Sequence, residues 1–438
     1  MQRFAIIALV LILARVVTEL WLSGLNQRHV RERANEVPPV FRGIIDAAMY
    51  RRSVDYTLVK SRFGDIVNAF DTVVLIAVLF SGLLPWAFGR FSVSLGTSTL
   101  AMAGFLFLTG IALSIPGLPF AWYAQFKIEE RFGFNTTSKK TWITDRIKAL
   151  LLALLLGYPL LVLVLKLIEW TGTNWWLWAS AVVIAFQMLL LVIAPAIIMP
   201  LFNKFTPLPE GDLRRRLFAL AQRAHFPTRS IEVMDGSKRS RHSNAFFTGL
   251  GRFRKIVLFD TLIAQLTEPE LESVLAHEIG HYKKRHVIKM LSVSIAGVVV
   301  AFAAISWLAR QQWFYRAFGF AYHEGFAAAN VIPAMLLFAL LAGTISFWFS
   351  PLVHVWSRRF EYEADAFARG AMGETQSLIQ ALRALTKNNL SNLTPHPLYS
   401  SFYYSHPTLL ERERALGDLQ PEQHRRSPRR APPQRALF

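Results

Sequence analysis

The sequence of 438 residues contains no cysteine, and this absence excludes several kinds of chemistry. Disulfide bonds, thiolate–metal sites and a cysteine nucleophile all need that side chain. Any bound metal must therefore be held by histidine and carboxylate ligands. Acidic residues are also scarce, because 29 Asp and Glu stand against 48 Lys and Arg and give a formal net charge of +19.

A strongly basic chain can bind nucleic acid, an anionic lipid surface or both. The sequence has no recognisable DNA-binding or RNA-binding motif, and its positive charge lies between long apolar segments. We therefore predict no nucleic-acid partner. With 53% hydrophobic residues and a mean hydropathy of +0.32, the chain is too apolar for a soluble protein of this size, and the predicted partner is the lipid bilayer.

Seven apolar segments are long enough to cross a bilayer, which takes about 20 residues. They lie near residues 4–22, 69–89, 99–124, 147–168, 175–200, 287–308 and 331–350. The first segment resembles the apolar region of a signal peptide, but no small-residue cleavage site follows it, so we predict a retained span. The predicted fold is an all-α polytopic membrane protein with about seven transmembrane helices.

The distribution of Lys and Arg between the loops predicts the orientation of these spans. Both residue types are concentrated in the loops after the first and third spans, and such loops face the cytoplasm. The polar segments 201–286 and 351–438 fall on the same side. We expect spans one to five in 1–200, a membrane hairpin in 287–350, and a cytoplasmic domain built from 201–286 and 351–423. The basic, proline-rich tail 424–438 is predicted to be disordered.

Segment 201–286 carries the patterns of a small folded domain. Residues 231–234 and 256–259 are typical of short strands, and 244–259 is typical of a β-hairpin. A capping box at 267–270, with proline in the first turn, predicts the start of a helix. We expect this helix to run to about His286.

The predicted helix contains the pattern His-Glu-x-x-His at His277, Glu278 and His281. Residues four apart lie on one face of a helix, so both imidazoles can bind one zinc ion. Glu278 stands beside them, where it can act as the general base on water. A zinc site that does catalysis needs a third protein ligand and one open position. No third histidine follows at a suitable spacing.

The third ligand can come from the predicted helix 357–368. There, Glu361 and Asp365 are four residues apart and share a face, whereas Glu363 does not. We assign Glu361 as the ligand and Asp365 as the carboxylate that orients a ligand histidine. Spacing alone leaves open an exposed acidic face that pairs with neighbouring arginines. Two spans separate His281 from Glu361, and this even number returns both to the same side of the membrane.

The sequence resembles the integral-membrane CaaX prenyl endopeptidases, which are zinc proteases that cut farnesylated or geranylgeranylated proteins after the lipidated cysteine. The resemblance rests on separated segments in the family's order, at residues 129–135, 200–205, 237–249, 277–281, 359–365 and 404–412. It implies a ring of seven helices around a water-filled chamber, with a gluzincin-like zinc-protease domain at the cytoplasmic end.

The resemblance also implies roles for individual residues. One Zn²⁺ is bound by His277, His281 and Glu361, with Glu278 as the base. Asn244 holds the substrate backbone, and His406 and Arg412 bind the substrate or stabilise the oxyanion.

Other polar residues have less specific interpretations. Arg15 and Glu19, inside the first span, are expected to pair, either on the chamber wall or as a pair that reaches toward the membrane surface. We expect His242, His286 and His396 to be structural or solvated rather than catalytic.

The leading functional prediction is a membrane zinc endopeptidase of the CaaX prenyl type, acting on a peptide or a prenylated protein. One alternative is a membrane quality-control protease like the heat-shock protease HtpX, which should lack segments 129–135 and 404–412. Another is an inactive membrane scaffold or receptor, against which the presence of Glu278 argues. We expect a multi-pass membrane protein with a cytoplasmic active site, in a bacterial inner membrane rather than the endoplasmic reticulum.

Overall fold

The computed structural model describes residues 2–248, 255–323 and 328–418. Two predictions lie outside these residues: the disordered tail 424–438, and the turn of the hairpin, which contains Gly249 and Gly251.

Helices make up most of the described chain. Those of the first half are α1 (Gln2–Glu32), α2 (Ala47–Phe80), α3 (Leu83–Leu95), α4 (Thr99–Ser114), α5 (Leu118–Tyr123), α6 (Lys139–Leu152), α7 (Tyr158–Thr171), α8 (Trp175–Ile193) and α9 (Met199–Phe202). Those of the second half are α10 (Asp212–Arg223), α11 (Asp260–Gln265), α12 (Glu268–Lys283), α13 (His286–Leu308), α14 (Gln312–Ala317), α15 (Ala328–Met372), α16 (Gln376–Asn388), α17 (Pro397–Tyr403) and α18 (Leu409–Asp418). Short 3₁₀ and π segments link several of them.

Six stretches of helix in the described residues are long and apolar enough to cross a membrane. They are Arg3–Glu32, Ala47–Phe80, Thr99–Glu129, Lys139–Phe202, His286–Leu308 and Asn330–Met372. The fourth stretch contains both the fourth and the fifth predicted span. The chain turns between them at Gly172, where a φ of +55° ends α7, and α8 then packs back along α7.

The side chains of these helices explain how they can face lipid. Many large apolar residues are exposed, for example Val73 at 65% and Leu155 at 69%, which suits a hydrocarbon environment and not water. Residues such as Trp175 and Tyr315 are buried in a hydrophobic cluster shared by several of these helices. Arg15 and Glu19 do pair within α1, with Arg15 Nε 2.9 Å from Glu19 Oε1.

A four-stranded sheet forms the small β element, as predicted. Its strands are β1 (Phe205–Pro207), β2 (Ser230–Met234), β3 (Ala245–Thr248) and β4 (Lys255–Phe259), in the order β1-β2-β4-β3. Strand β2 is parallel to β4, whereas β1 and β3 are antiparallel to their neighbours. The predicted strands and hairpin pairing are confirmed. The edge strand β1 was not predicted, because three residues ending in proline carry almost no strand pattern.

Helix α12 begins as the sequence predicts, with Thr267 and Glu270 forming both halves of a capping box. It ends at Lys283 and not near His286, because Arg285 adopts the left-handed conformation with φ +56°. That residue breaks the helix and starts α13 in a new direction. The prediction of a helix reaching about His286 was therefore too long.

Helix α15 joins two segments that the sequence suggested separately. The last predicted span, 331–350, and the acidic helix, 357–368, form one continuous helix of 45 residues. Helices α12 and α15 pack together closely. At their contact a Cβ on Gly280 would lie only 2.9 Å from Ala364 Cα, so only glycine fits without a shift of the backbone.

Candidate active site

The two histidines of α12 and Glu361 of α15 converge at the contact between these helices. The Nε2 atoms of His277 and His281 lie 3.1 Å apart. His277 Nε2 is 3.5 Å from Glu361 Oε2, and His281 Nε2 is 3.3 Å from Glu361 Oε1. Their ligand atoms all lie within 4.8 Å of one another. The structure thus brings together the three residues predicted to bind the metal.

The donor set of this group fits a divalent cation. The two Nε2 atoms face each other, and when both carry a lone pair neither can donate to the other, so a proton or a cation must lie between them. Glu361 Oε2 is buried and has no hydrogen-bond donor in good geometry. Two imidazole nitrogens and one carboxylate form a common ligand set of catalytic zinc sites. A cation between the three side chains would satisfy all these groups together.

Asp365 orients His277, as its place one turn after Glu361 suggests. Asp365 Oδ1 lies 2.8 Å from His277 Nδ1. Because a carboxylate accepts, Nδ1 of a neutral imidazole donates, and Nε2 keeps its lone pair for a metal. Burial lowers the pKa of His277, but hydrogen bonds to Asp365 and Glu361 outweigh it and raise the pKa to about 9.

Glu278 lies next to His277 on α12 and is partly exposed. Burial is the largest influence on its carboxyl group and raises its pKa, while the neighbouring imidazoles act in the opposite direction. A carboxylate whose pKa is raised is a stronger base than a fully solvated one. The carboxyl group of Glu278 therefore lies within electrostatic range of His277, His281 and Glu361, and its pKa is above that of a solvated glutamate.

His406 and Arg412 also lie at this group, but in different environments. His406 Nδ1 is 2.9 Å from Glu361 Oε2, and its side chain is 66% exposed, beside a cavity that Tyr403 and Tyr404 also line. Arg412 is buried, and it donates from Nε to Asp365 Oδ2 at 2.8 Å and from Nη2 to Oδ1 at 2.5 Å. Its Nη1 is 3.6 Å from Glu361 Oε2. His406 faces solvent, whereas Arg412 mainly holds Asp365.

Asn244 immediately precedes the edge strand β3. Its side chain is exposed, and its Oδ1 accepts a hydrogen bond of 2.8 Å from the Ala245 backbone. Strand β3 contacts α12, where the Phe247 and Tyr282 rings lie 6.3 Å apart. The strand therefore runs beside the metal-binding helix. The backbone oxygen of Asn244 accepts a hydrogen bond of 3.2 Å from Phe259 N, whereas the described contact of its side chain is local.

Two residues of the site were not predicted as functional. His286 is buried, with Nδ1 3.0 Å from His281 Nδ1 and Nε2 3.1 Å from Glu363 Oε2. The expectation that His286 is structural or solvated misses this contact with a ligand histidine. The signal was the histidine five residues after His281, which reaches it only because α12 ends between them.

The other two histidines serve structural contacts. His242 stacks on Phe134 with ring centroids 4.0 Å apart, and its Nδ1 is 3.0 Å from Asn389 Oδ1. His396 caps α17 by accepting a hydrogen bond from the Leu398 backbone. Neither contact reaches the metal-ligand group.

Two family models together match most of the chain. The first, CAAX prenyl protease N-terminal, five membrane helices, matches residues 26–204. The second, peptidase family M48, matches residues 207–420 and contains all the candidate ligands.

Proteins named CAAX prenyl protease 1, or its homolog, are similar to this chain over nearly their whole length. CAAX prenyl protease 1 of Saccharomyces cerevisiae is 38% identical over 408 residues, which cover 87% of this chain and 88% of that protein. The homolog from Arabidopsis thaliana is 35% identical, with 87% and 90% covered, and that from Homo sapiens is 31% identical, with 91% and 92% covered.

The crystal structure of S. mikatae Ste24p matches this fold with a TM-score of 0.86 at 35% identity, covering 94% of this chain and 98% of that one. These relatives come from eukaryotes, so they lend no support to the expected bacterial membrane. The match extends over the membrane helices and the site alike. The chain therefore belongs to peptidase family M48, as a multi-pass membrane metalloendopeptidase of the CAAX prenyl protease type.

Proposed function

We propose that this protein is a zinc-dependent endopeptidase that cleaves prenylated peptides on the cytoplasmic side of its membrane. The observation that carries the proposal is the convergence of His277, His281 and Glu361 beside Glu278. Helix α15, which carries Glu361, is continuous with a membrane span, and α12, which carries both histidines, directly precedes another span. The excess of Lys and Arg in the loops on the same side supports a cytoplasmic site.

Zinc suits the proposed ligands, because imidazole and carboxylate donors with one position left open are typical of catalytic zinc. When bound, zinc would polarise the peptide carbonyl and lower the pKa of water toward ~7. Asp365 fixes the orientation of His277, and Arg412 fixes Asp365. The ligand His277 is thereby held by a chain of charged hydrogen bonds before the substrate arrives.

The protein's own groups carry the proton transfers. Glu278 would take a proton from the water whose oxygen attacks the carbonyl carbon, and would deliver it to the amine nitrogen as the C–N bond breaks. His406 is exposed and adjacent to Glu361, so it can turn toward the negatively charged tetrahedral intermediate. The Arg412 guanidinium adds positive charge from the buried side.

Asn244 and strand β3 would hold the substrate. An edge strand offers unpaired backbone groups along one side, to which an extended peptide can add as a further strand. The exposed amide of Asn244 at the start of β3 can fix the register of that peptide. A chamber between the spans would admit the prenyl group from the bilayer.

Two matched peptides test the proposal, one farnesylated on its cysteine and one not. The purified protein in detergent should cut the farnesylated peptide at least ten times faster, and a chelator should stop the reaction. Glu278→Gln should lower the rate roughly 10²-fold to 10⁴-fold with an unchanged zinc content. Equal cleavage of both peptides would favour general membrane proteolysis, and a Glu278→Gln variant as active as the parent would refute the mechanism.

A further inference from the structure

His281 has a hydrogen-bonded support of its own, which comes from residues outside the His-Glu-x-x-His pattern. Its Nδ1 lies 3.0 Å from Nδ1 of His286. The other ring nitrogen of His286, Nε2, lies 3.1 Å from Glu363 Oε2. A line of three groups thus runs from Glu363 through His286 to His281, whereas Asp365 contacts the other ligand histidine, His277.

The donors and acceptors along this line can be assigned from the carboxylate. An ionised carboxylate only accepts, so Nε2 of His286 must donate to Glu363. A neutral His286 then has a bare Nδ1, which accepts the proton on Nδ1 of His281. His281 in turn keeps the lone pair on Nε2, the atom that faces His277 and Glu361. If His281 instead accepted the hydrogen bond at Nδ1, its proton would lie on Nε2, and Nε2 could not bind a metal.

The surrounding structure fixes the His286 ring in this position. The left-handed Arg285 ends α12 and turns the chain, so that the first residue of α13 faces back toward His281. The ring of His286 is 3% exposed and stacks on Phe360, with centroids 4.2 Å apart and planes 13° from parallel. Phe360 directly precedes Glu361 on α15. The same helix therefore positions the ligand Glu361 and the Phe360 ring on which His286 stacks.

Glu363 is in turn held by two cations. Arg359 Nε lies 3.2 Å from Glu363 Oε1, one turn earlier on α15, and Lys289 Nζ lies 3.8 Å from Oε2. Both favour the ionised, accepting form of the carboxylate. The Glu363 side chain is about one-third exposed, at 30%, so water can partly replace it, whereas no water can replace the buried His286 ring.

We infer that His286 and Glu363 are positioning residues that hold His281 in the tautomer and orientation needed to bind zinc. This inference rests on the proposed function. It gives each ligand histidine its own support: Asp365 for His277, and the His286–Glu363 pair for His281. Loss of a hydrogen-bonding partner of a ligand histidine typically lowers metal affinity 10-fold to 100-fold.

A pair of substitutions at His286 separates hydrogen bonding from packing. His286→Phe keeps a ring that can stack on Phe360 but offers no acceptor to His281. His286→Asn loses the stacking but can place its amide oxygen near the position of Nδ1. Zinc affinity, measured by competition with a fluorescent chelator, should fall about 10-fold to 100-fold in His286→Phe and recover at least partly in His286→Asn.

Glu363 provides a second pair that does not disturb the buried ring. Glu363→Ala removes the acceptor and should weaken zinc binding by roughly tenfold, the low end of such effects, because the side chain is partly exposed. Glu363→Gln keeps an accepting oxygen and should bind zinc nearly as well as the parent. Lys284→Gln is the matched control, since it removes a positive charge at the end of α12 from an exposed side chain that takes no part in the hydrogen bonds described above, and it should leave zinc affinity unchanged.

Cobalt substitution supplies a readout independent of cleavage. The visible absorption of bound Co²⁺ reports ligand geometry and should change in His286→Phe but not in Lys284→Gln. Equal zinc affinity in the parent, His286→Phe and Glu363→Ala would overturn the inference. If His286→Phe does not fold, the Glu363 pair decides alone, and Ala and Gln variants that bind zinc equally would refute it. Failure of the parent itself to bind zinc would refute the proposed function instead.

Discussion

Replacing Gly280 with alanine tests whether the close approach of α12 and α15 assembles the site. The added Cβ would lie 2.9 Å from Ala364 Cα and 3.0 Å from Ala364 O, both of which are backbone atoms. Carbon atoms in favourable contact are about 3.5–4.0 Å apart. The two helices must therefore separate by roughly 0.6–1 Å, since neither atom belongs to a side chain that can rotate away.

Gly280→Ala should lower the free energy of unfolding only modestly but should weaken zinc binding and catalysis strongly. Overpacking costs about 1–3 kcal/mol, and replacement of a helical glycine by alanine returns about 1 kcal/mol. The net loss of unfolding free energy is thus at most about 2 kcal/mol. Metal sites tolerate displacements of only about 0.2 Å, and a displacement of about 1 Å can lower a catalytic rate 10²-fold. Gly280→Ala should therefore fold, bind zinc at least ten times more weakly and lose roughly 99% of its kcat/KM.

Gly370→Ala is the matched control, because Gly370 lies on α15, the helix that Gly280 contacts, and a Cβ there meets no atom within 4 Å. It should raise stability by about 0.5–1 kcal/mol and leave cleavage unchanged. Thermal unfolding in detergent, chelator competition and peptide cleavage measure the three quantities. If Gly280→Ala binds zinc and cleaves within twofold of the parent, the helix contact does not set the ligand geometry.

Three further predictions follow from the charged groups. The pKa of His277 is raised to about 9, and its protonated form competes with the metal. Zinc affinity should therefore fall about tenfold for each pH unit below 9. Titrations that show equal zinc affinity at pH 7 and pH 9 would contradict this prediction. Arg412→Met leaves the buried Asp365 without its cation and should cost about 3–5 kcal/mol, measured by thermal unfolding, whereas an unchanged midpoint would show that the pair is not needed. Because burial raises the pKa of Glu278 and only the ionised form is a base, kcat/KM should fall with decreasing pH at values above 4.5; an acid limb below 4.5 would argue against this base.

The parts of the fold that sequence predicted well have strong local signals. Long apolar segments predicted most of the membrane helices, and the capping box at Thr267 predicted the start of α12. The predicted span 69–89 was placed too far along the chain, because α2 ends at Phe80 and α3 begins at Leu83. The end of α12 had no such signal. Left-handed residues at helix ends are usually glycine, and here the position is Arg285, so nothing in the sequence marked the break.

The residues of the site were likewise predicted where a local sequence signal existed and missed where none did. Helical spacing predicted that His277 and His281 share a face, and the even number of intervening spans allowed Glu361 to meet them. Spacing alone could not choose between a ligand and an exposed acidic face for Glu361, and only the resemblance to a known family decided it. Glu363 was assigned to another face because it is two residues from Glu361, but a side chain pointing away from one partner can still reach a residue from a third helix.

The connection of the site to the membrane explains why local patterns were insufficient. His286 is the first residue of the span His286–Leu308, and Glu361 and Asp365 lie toward the end of the stretch Asn330–Met372. The relative placement of the ligands and their supports is therefore set by how two membrane helices pack, and not by the motif alone. Substitutions at the contact between α13 and α15, outside the His-Glu-x-x-His pattern, should consequently alter zinc binding more than substitutions of equal size on the exposed face of α12.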